Sequence, residues 1–591
     1  MTESGGIAAE YAARARGLFK KGQIAQARTE VLEGLSSAPD DIPLLQLLAD
    51  SADLLNFTDE AVDACNRLTV LLPGNAMIYA KIGDLWTKAF DYARAEEAFQ
   101  TALRLDPANT LVIDRLANLF RTSGKTAEAK EILSRRAAMS ADPQTRAAQR
   151  FQCVLVQPVI ARDNAEIDQA RTDFMAAVSA GPETLFADPY RLGLGPNFYS
   201  GYQAHDELPL QRALAQYYLA ATPSLSEAAA HVGARTSGRP IRVGLVCHYF
   251  SKHTIGYLSY GLVSLLDRQR FELVLFRTPN SRRDGDTGRF AAAAPLIDLA
   301  PGLAQARRQI ADARLDVLHF PEIGMEPLTY FLAFARLATV QTVAWGHPIT
   351  TGIPNVDYFL SPNDMEPDNA NAHYSERLLR LKNLTFAGAH PGAPSPFDHQ
   401  IEKDRPSYVC VQSLFKVHPD FDATLAQILR RDAKGIIYFV TFLPYPDGLL
   451  KARLECTLGA DIARVRFLPR MTTGQFRHLV GSADVILDVT QWSGGKTALD
   501  TFAAGTPIVH QPGAFMRGRH TLAFYRKMGI TAPVAASPEG YADVAVRLAN
   551  DRAFHSDVKA QIVATSPKLF NDVASIREIE EVWETALRER C

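Results

Sequence analysis

The stretch that decides the fold is ADVILDVTQWSGGKTALDTFAAGTPIV, residues 483–509. It has a short apolar run, a loop with Gly494 and Gly495, a helical segment from about Ala498 and a second apolar run. This order of strand, glycine loop, helix and strand is typical of a parallel α/β sheet. The start of such a helix favours negative charge, because its first amide groups and its dipole face the loop. The loop is therefore predicted to bind a phosphate group.

Three side chains next to the glycines are candidates for the same anion site. Lys496 and Thr497 supply further hydrogen-bond donors. Asp500, one turn into the helix, is placed to accept a hydrogen bond from a hydroxyl group such as that of a ribose, and capping of its own helix is the alternative. The GKT triplet is not an ATP-binding P-loop, because Thr490 stands where that motif needs a glycine.

The alternation of short apolar runs with helical stretches continues on both sides of this segment. One series includes IRVGLVCHYF, FELVLFRT, LDVLHF and TVQTVAWG, and a second includes SYVCVQS, GIIYFVTFL, ARVRFLPR, ADVILDVT and TPIVHQP. Two doubly wound α/β lobes are predicted, at residues 240–396 and 397–570, with a C-terminal helix at 571–591. In such a pair of lobes, ligands bind at the carboxyl ends of the strands, so the cleft is the expected site.

The N-terminal part has a different pattern, in which helices repeat. Pro39, Pro73 and Pro107 lie 34 residues apart, which is the tetratricopeptide period. The unit that ends at Pro107 has the large and small residues of that motif at Tyr79, Ile82, Gly83, Trp86, Ala95, Phe99 and Ala102. About four repeats are predicted in residues 1–140, followed by a helical connecting region at 141–239 that ends in the linker TSGRP. Such a solenoid usually binds polypeptide, and bracing a neighbouring domain or a homodimer is the alternative.

Composition narrows the function classes. The 591 residues are 47% hydrophobic and 22% charged, with a formal net charge of -2, which is typical of several folded domains without a basic surface for nucleic acid or an anionic membrane. The N-terminus lacks a signal peptide pattern and no stretch is apolar enough to span a membrane. Six scattered cysteines without a CxxC pair argue against disulfides and zinc, so a reducing cytoplasm is the expected location.

Metal ions and other cofactors are not expected. Two DxD triplets, at residues 284–286 and 420–422, are interpreted as structural because one lies in a polar loop and the other follows a proline at a helix start. A cation is predicted instead at the strand end in VCVQSLFK, where Gln412 and Lys416 follow the strand. A lysine in that place can neutralise a leaving phosphate, and an ordinary surface lysine is the alternative.

Together these elements resemble the O-linked N-acetylglucosamine transferase family, which joins tetratricopeptide repeats to a GT-B fold of two Rossmann-like lobes. The first lobe resembles the family in RVGLVCHYFSKHTIGYL and in VQTVAWGHPITTGIPNVDYFLSP; the second resembles it in QSLFK, ADVILD, GGKTALD and AGTPIVHQPG. The resemblance implies an inverting, metal-independent transfer of a sugar from a nucleotide, bound by the second lobe, to Ser or Thr of a protein, bound by the repeats and the first lobe.

The resemblance also implies roles for individual positions. Lys416 falls at the phosphate-neutralising lysine, Thr497 at a phosphate-binding threonine and Asp500 at the ribose-binding aspartate. His253 falls at the active-site histidine, whose neutral imidazole can accept the hydroxyl proton of the acceptor. Glu322, His347 and Arg519 are further candidates. For Glu322 and His347, a structural role is the alternative.

The donor pocket departs from the UDP-using members of that family. Residues 494–497 are GGKT where those members have Gly-His-Thr-Thr, and Thr473 and Phe476 stand near the positions of their base-contacting Lys and His. The added Lys496 suits a donor with an additional negative charge, and Phe476 can stack on a pyrimidine base.

Among bacterial relatives, the sequence is most similar to the repeat-containing flagellin glycosyltransferases. That similarity implies a CMP-activated nonulosonic acid such as pseudaminic acid as the donor, with its carboxylate paired by Lys496 or Arg519, and flagellin as the acceptor. The alternatives are a UDP-N-acetylglucosamine donor, an inactive repeat scaffold that only binds a partner protein, and transfer to a glycan or lipid.

Overall fold

The computed structural model describes residues 3–233, 239–398, 401–441 and 447–590. Contacts divide the chain into two compact units, Met1–Val156 and Gln157–Cys591. Residues 236–238 of the predicted linker and residues 442–443 of the predicted strand GIIYFVTFL lie outside the described part of the chain.

The first unit consists of helices that pack in consecutive pairs, as the 34-residue period predicts. Asp41, Asn75 and Asn109, each two residues after a repeat proline, accept a backbone hydrogen bond from the helix that follows. The predicted helical solenoid is thereby confirmed. Its helices are α1 Glu3–Lys20, α2 Ile24–Ser37, α3 Ile42–Leu54, α4 Thr58–Leu71, α5 Ala76–Lys88, α6 Tyr92–Leu105, α7 Thr110–Thr122, α8 Thr126–Ala138 and α9 Pro143–Leu155.

A small residue is required where the two helices of a repeat meet. A Cβ atom added at Gly83 would lie 2.6 Å from Cε1 of Phe99 on the paired helix. Ala95 and Ala102, on either side of Phe99, are fully buried. Side-chain size in the repeat therefore follows from close packing between helices.

The turns within the repeats share one backbone conformation. Gly22, Asn56, Phe90 and Gly124, again 34 residues apart, have φ angles of 73°, 62°, 66° and 75°. Glycine and asparagine adopt this left-handed region readily, but a bulky side chain does not. The backbone of Phe90 is therefore strained, by about 1–2 kcal/mol. Its side chain is 46% exposed.

The second unit begins with helices of the connecting region and continues into a seven-stranded parallel sheet of described residues, with strand order β3-β2-β1-β4-β5-β6-β7. The sequence predicted β1, β2, β4 and β5 of this sheet. The elements are α10 Asn164–Ser179, α11 Leu208–Ala221, β1 Ile241–Cys247, α12 Thr254–Leu265, β2 Phe271–Arg277, α13 Gly285–Ala293, β3 Leu296–Asp298, α14 Leu303–Asp312, β4 Leu315–Phe320, α15 Pro327–Leu332, β5 Ala338–Ala344, β6 Tyr358–Pro362 and β7 Arg377–Leu381.

A second parallel sheet, five-stranded within the described residues, has the order β10-β9-β8-β11-β12. All five strands lie in the predicted runs, and helix α19 begins at Lys496, two residues before the predicted start. The elements are β8 Ser407–Cys410, α16 Pro419–Arg431, β9 Ile436–Val440, α17 Asp447–Leu458, β10 Val465–Leu468, α18 Thr473–Ser482, β11 Val485–Leu487, α19 Lys496–Ala503, β12 Ile508–Val509, α20 His520–Met528, α21 Pro538–Asn550, α22 Arg552–Thr565 and α23 Val573–Arg590.

Both sheets therefore have the same arrangement, in which the first strand lies between the second and the fourth. The strand order reverses between β1 and β4 in one lobe and between β8 and β11 in the other. Ligands of open parallel sheets bind at this reversal, outside the carboxyl ends of the strands. The predicted fold class, a helical repeat followed by two Rossmann-like lobes, is confirmed.

The C-terminal helix α23 packs on the first lobe. Ile576, Ile579 and Trp583 are buried in one hydrophobic core with residues of β1, β2 and β4. Glu580, also on α23, is fully buried and pairs with Arg270 at 3.1 Å. The end of the chain thus returns from the second lobe to the first.

Candidate functional site

Asp488, the residue after β11, lies at the strand reversal of the second lobe and is 3% exposed. Its Oδ1 accepts hydrogen bonds from Gln412 Nε2 at 2.9 Å and from the Gly494 amide at 2.8 Å. Its Oδ2 accepts from Ser493 Oγ at 2.7 Å and from His510 Nδ1 at 2.8 Å. One carboxylate therefore joins the segment after β8, the glycine loop and the segment after β12.

The charge of Asp488 is stabilised inside this network. Burial alone would raise the pKa of Asp488, but the hydrogen bonds from His510 and Ser493 outweigh that effect and hold the pKa below its ordinary value. The sequence analysis did not single out this residue. The available signal was an acidic residue that directly follows the apolar run ADVIL.

Lys416 lies beside the glycine loop. It ends a short 3-10 helix, Leu414–Lys416, that follows β8, and its Nζ is 5.5 Å from the ring centre of Trp492, which directly precedes Ser493. Burial lowers the pKa of Lys416 to about 8, and the nearby charge of Asp488 opposes this shift. The structure therefore brings together the cation and the glycine loop that the sequence predicted separately.

The glycine loop leads directly into the N-terminus of α19. A Cβ atom at Gly494 would lie 2.9 Å from Thr497 Oγ1, so a larger residue there would displace Thr497. Gly495 is the N-cap residue, and the first amide groups of α19 have no acceptor inside the helix. Free amide groups of this kind are the groups with which helix N-termini bind anions, and Thr497 lies among them.

Lys496 and Asp500 form an ion pair. Nζ of Lys496 lies 2.5 Å from Oδ1 of Asp500, and Arg477 Nε lies 3.5 Å from the same oxygen. The ammonium group of Lys496 is also 4.6 Å from the ring centre of Tyr257, on α12 of the first lobe. Burial lowers the pKa of Lys496, and Asp500 opposes that shift. The predicted phosphate ligand and the predicted ribose ligand are therefore in direct contact at the cleft.

Two other predicted donor-site residues lie in different surroundings. Phe476, on α18, is 4% exposed, which leaves almost no open ring face for a base to stack on. Arg519 donates from Nη1 to the Gly513 carbonyl at 3.2 Å, and its Nε is buried without a partner among the described residues. Burial lowers the pKa of Arg519, the charge of Arg526 lowers it further, and the charge of Glu366 opposes both effects.

In the first lobe, His253 is the N-cap residue of α12. Its Nδ1 accepts a hydrogen bond from the Ile255 amide at 3.2 Å, and its ring stacks on Tyr249 with centres 4.1 Å apart. Burial and the neighbouring His248 lower the pKa of His253 to about 4, so the ring is neutral at pH 7. A neutral imidazole that accepts at Nδ1 has its proton at Nε2. In this arrangement Nε2 of His253 is a donor, and accepting a proton at Nε2 requires a change of tautomer.

Glu322 follows β4, across the strand reversal from His253. It is fully buried; its Oε2 accepts from the Met325 amide at 3.1 Å, and its Oε1 has no hydrogen-bond partner among the described residues. Burial, and then the charge of Glu326, raise the pKa of Glu322 to about 8. The carboxyl group is therefore mostly protonated at neutral pH.

His347, the other cleft candidate, is held by aromatic rings of the connecting region. Its ring stacks on that of Phe198 with centres 5.2 Å apart, and its centre lies 5.8 Å from that of Trp492. The ring centres of Tyr202 and Trp492 are 4.0 Å apart. Burial lowers the pKa of His347 to about 3, so its ring is neutral. The 3-10 helix Phe198–Tyr202 thus enters the cleft between the lobes, which the sequence described only as connecting structure.

His520 is a site residue that the sequence analysis missed. Its Nδ1 is 3.1 Å from the Ser493 carbonyl, its ring centre is 5.1 Å from that of Trp345 in the first lobe, and its buried Nε2 has no partner within the described chain. Burial lowers the pKa of His520 to about 4. The only signal was its position next to Arg519 in MRGRH.

The acidic triplets make structural contacts. Asp284 caps α13 through the amides of Asp286 and Thr287, and Asp422 pairs with buried Arg453 at 2.8 Å. Within the described ranges, no three His, Cys, Asp or Glu side chains are grouped in a way that could hold a metal ion.

None of the helices in the described part of the chain is both long enough and apolar enough to cross a bilayer.

Comparison with known proteins confirms the resemblance to O-linked N-acetylglucosamine transferases. The model of glycosyl transferase family 41 matches residues 395–577. The UDP-glucose:protein N-beta-glucosyltransferase of Actinobacillus pleuropneumoniae serotype 5b is 24% identical over 343 residues, which cover 56% of this chain and 54% of that protein. A probable UDP-N-acetylglucosamine–peptide N-acetylglucosaminyltransferase SPINDLY of Solanum lycopersicum is 23% identical over 381 residues, covering 60% of this chain and 39% of the relative.

The chain therefore spans about half or less of the length of these two curated relatives. Among solved structures, a mutant O-GlcNAc transferase of Thermobaculum terrenum aligns with a TM-score of 0.65 at 19% identity, over 93% of this chain and 98% of that one. This likeness confirms the fold. Together the matches confirm the prediction that the chain carries a catalytic unit of the glycosyltransferase type.

Proposed function

We propose, from its likeness to family 41 glycosyltransferases, that the chain transfers a sugar from a nucleotide to a Ser or Thr hydroxyl of a protein, with inversion and without a metal ion. The observation that carries this proposal is the network of Asp488. It fastens Gln412, which precedes Lys416, to the glycine loop that opens α19. A cation and a helix N-terminus therefore converge on one place, where a leaving phosphate acquires negative charge.

In the proposed reaction, the bond between the anomeric carbon and the phosphate oxygen breaks as the acceptor oxygen attacks. Lys416 and the first amides of α19 stabilise the charge of the departing nucleotide. His253 lies at the strand reversal of the opposite lobe, where the acceptor hydroxyl is expected. Its neutral ring binds the acceptor through Nε2. It takes the hydroxyl proton there only after the proton on Nε2 has moved to Nδ1, which breaks the hydrogen bond from the Ile255 amide.

The favoured donor is a CMP-activated nonulosonic acid such as pseudaminic acid. Such a donor has a carboxylate in addition to its phosphate, and Lys496 is a cation at the start of α19 whose partner Asp500 also lies beside Arg477. Arg477 can hold Asp500 when Lys496 turns to the carboxylate of the donor. Arg519 is less well placed in this structure, because the Gly513 carbonyl engages its guanidinium group.

A UDP-sugar is the second candidate donor, favoured by the names of the relatives, which are UDP-dependent enzymes. The two candidates differ in one testable property, the donor carboxylate. Purified protein incubated with an acceptor and either CMP-pseudaminic acid or UDP-N-acetylglucosamine should add the mass of one of the two sugars to the intact acceptor. Transfer from the UDP-sugar alone would overturn the assignment of Lys496.

The acceptor in this proposal is flagellin, bound by the helical repeats. Binding of the acceptor by the repeats is supported by the solenoid of α1–α8, because solenoids commonly bind polypeptide on their surface. Deletion of residues 1–156 should abolish modification of the acceptor while CMP or UDP binding to the second unit, measured by calorimetry, remains. If neither full chain nor truncated chain binds a nucleotide, the lobes are an inactive scaffold instead.

Independence from metal ions is part of the proposal and has a simple test. The rate of transfer should be the same after dialysis against EDTA as before, because the cationic charge is supplied by side chains and by α19. A loss of activity that Mg²⁺ or Mn²⁺ restores would contradict this part of the proposal. A cytoplasmic location and a homodimer remain predictions.

A further inference from the structure

We propose that Asp488 is a positioning residue for the transfer reaction, which fixes the glycine loop on one side and balances the charge of Lys416 on the other. This inference rests on the proposed function. Asp488 is 3% exposed, so it acts on the nucleotide only through the groups that it holds. Its role is therefore distinct from those of the residues that contact the donor.

The first part of this role is mechanical. The Gly494 amide donates to Asp488 at 2.8 Å, and Ser493 Oγ donates at 2.7 Å, so two successive residues of the loop are bound to one carboxylate. The Thr521 amide donates to Ser493 Oγ at 2.9 Å, which ties the same loop to α20. Because the Gly494 amide and the Ser493 hydroxyl are bound to Asp488, the amides that follow Gly494 are the ones available to bind the phosphate.

The second part is electrostatic. Among the described residues, no ion pair joins Lys416 Nζ to a carboxylate, and this atom lies 5.5 Å from the ring centre of Trp492. The ammonium group therefore keeps its donors for a ligand. The titratable groups that act on Lys416 are Asp488 after β11, His347 after β5 and His520 at the start of α20. Both imidazoles are neutral at pH 7, because burial lowers the pKa of His347 to about 3 and that of His520 to about 4.

Asp488 therefore supplies the negative charge that opposes the burial of Lys416. A buried lysine without such a charge can lose its proton near pH 5–6, roughly the lower limit seen in proteins. Asp488 does this while it is hydrogen-bonded to Ser493 and Gly494, and among the described residues it forms no direct ion pair with Lys416. The arrangement keeps the lysine charged and still able to bind a phosphate.

The test compares the pH dependence of the wild type with that of Asp488→Asn, which keeps the shape of the side chain and removes its charge. Without that charge the pKa of Lys416 falls, so the basic limb of the kcat profile should move from about pH 8 to lower pH. We expect a loss of roughly 10- to 100-fold in kcat at pH 8, with a much smaller loss at pH 6. An equal loss at every pH would show a merely structural role and overturn the proposal.

Two matched variants separate charge from shape. Ser493→Ala removes one hydrogen bond to Asp488 and keeps the carboxylate, so it should lower kcat without moving the basic limb. Lys416→Arg replaces the titrating cation by one that stays charged. Adding Asp488→Asn to Lys416→Arg should therefore not shift the profile, and a shift in that background would contradict the proposal.

A measurement on the wild type covers the case in which Asp488→Asn does not fold. NMR of ¹³C-methylated lysines, with the Lys416 signal assigned by its absence in Lys416→Arg, should show a titration near pH 8. A titration below about pH 6, the behaviour of an unsupported buried lysine, would overturn the proposal. So would a titration at the ordinary lysine value.

The same measurements distinguish failure of this inference from failure of the proposed function. If no donor is transferred, the affinity for CMP or UDP replaces kcat in the pH comparison, because phosphate binding also needs charged Lys416. A wild type that is active, with an Asp488→Asn profile that does not shift, would overturn the inference and leave the proposed function standing.

Discussion

Nζ of Lys496 and Oδ1 of Asp500 are 2.5 Å apart, across one turn of α19. The sequence predicted separate roles for the two residues, with Lys496 on a phosphate or carboxylate and Asp500 on a ribose. The ion pair couples these two roles, because a donor that binds Lys496 or Asp500 at the paired atoms must break the bond between them. Arg477, 3.5 Å from the same oxygen of Asp500, is positioned to take over when Lys496 leaves.

Replacement of Lys496 by alanine should therefore affect the two candidate donors differently. For a donor with a carboxylate, the lost charged hydrogen bond, worth about 1.5–3 kcal/mol, should raise the donor KM roughly 10- to 100-fold. For a UDP-sugar the KM should rise less, because such a donor has no sugar carboxylate for Lys496 to pair. Steady-state kinetics with both donors measure this, and Lys451→Ala, on the exposed face of α17, is the matched control.

Lys416 should contribute mainly to the chemical step. Lys416→Ala removes a cation from the place where the leaving nucleotide gains charge, so kcat should fall by roughly 10²- to 10³-fold, the usual effect of removing one such group. Lys416→Arg should recover part of the activity, because it restores the charge with a different shape. A kcat for Lys416→Ala within a few-fold of the wild-type value would remove Lys416 from the reaction.

The pH profile should be a plateau with two limbs. His253 acts as a neutral ring, so activity should fall as the pH decreases through about 4, where the ring becomes protonated. Lys416 acts when charged, so activity should fall as the pH increases through about 8, where it loses its proton. Glu322 also titrates near pH 8, and Lys416→Arg separates the two groups. The basic limb should disappear in that variant if Lys416 causes it. Circular dichroism at pH 4 confirms that the fold persists.

The left-handed backbone at Phe90 should cost stability. Phe90→Asn introduces the residue that the preceding repeat has at Asn56 and should stabilise the first unit by about 1 kcal/mol. Thermal unfolding of the full chain measures the gain. Phe90→Ala is the control, because it removes the same side chain without introducing a residue that favours the left-handed region. The reverse change, Asn56→Phe, should destabilise the unit, and a stabilising effect there would contradict the argument from strain.

Local pattern was sufficient for most of the secondary structure. The period of Pro39, Pro73 and Pro107 predicted the solenoid, because each repeat must place large and small residues at the same packing positions. The five strands of the second sheet are short and mostly apolar, as buried parallel strands usually are, although β10 includes Arg466. Strands β3, β6 and β7 were missed. Strands β3 and β7 carry charged residues and lie at the edges of their sheet, whereas β6 is internal and buried, and its residues were quoted only within the longer segment that resembles the family.

The site was predicted only in part. Lys416 and the glycine loop are local features with a recognisable chemistry, so the sequence identified both. Asp488 and His520 have no distinguishing local pattern, because their surroundings arise only in the folded chain. Asp488 has four hydrogen-bond partners from three segments. The ring of His520 lies beside Trp345 of the opposite lobe. Phe476 is the opposite case, a residue that the sequence predicted to stack on a base. In the structure its side chain is buried in the lobe, with 4% exposed.

The sequence by itself determined the helical repeat and the two α/β lobes, because these follow from periodicity. It also predicted an anion site at the start of α19, from backbone groups that every helix N-terminus exposes. Tertiary structure alone decided the charges of the site. The states of Lys416, His253 and Glu322 depend on burial and on partners distant in the chain, and neither quantity is encoded in the neighbouring residues. For the same reason, only the folded lobes show that Lys496 and Asp500 hold each other.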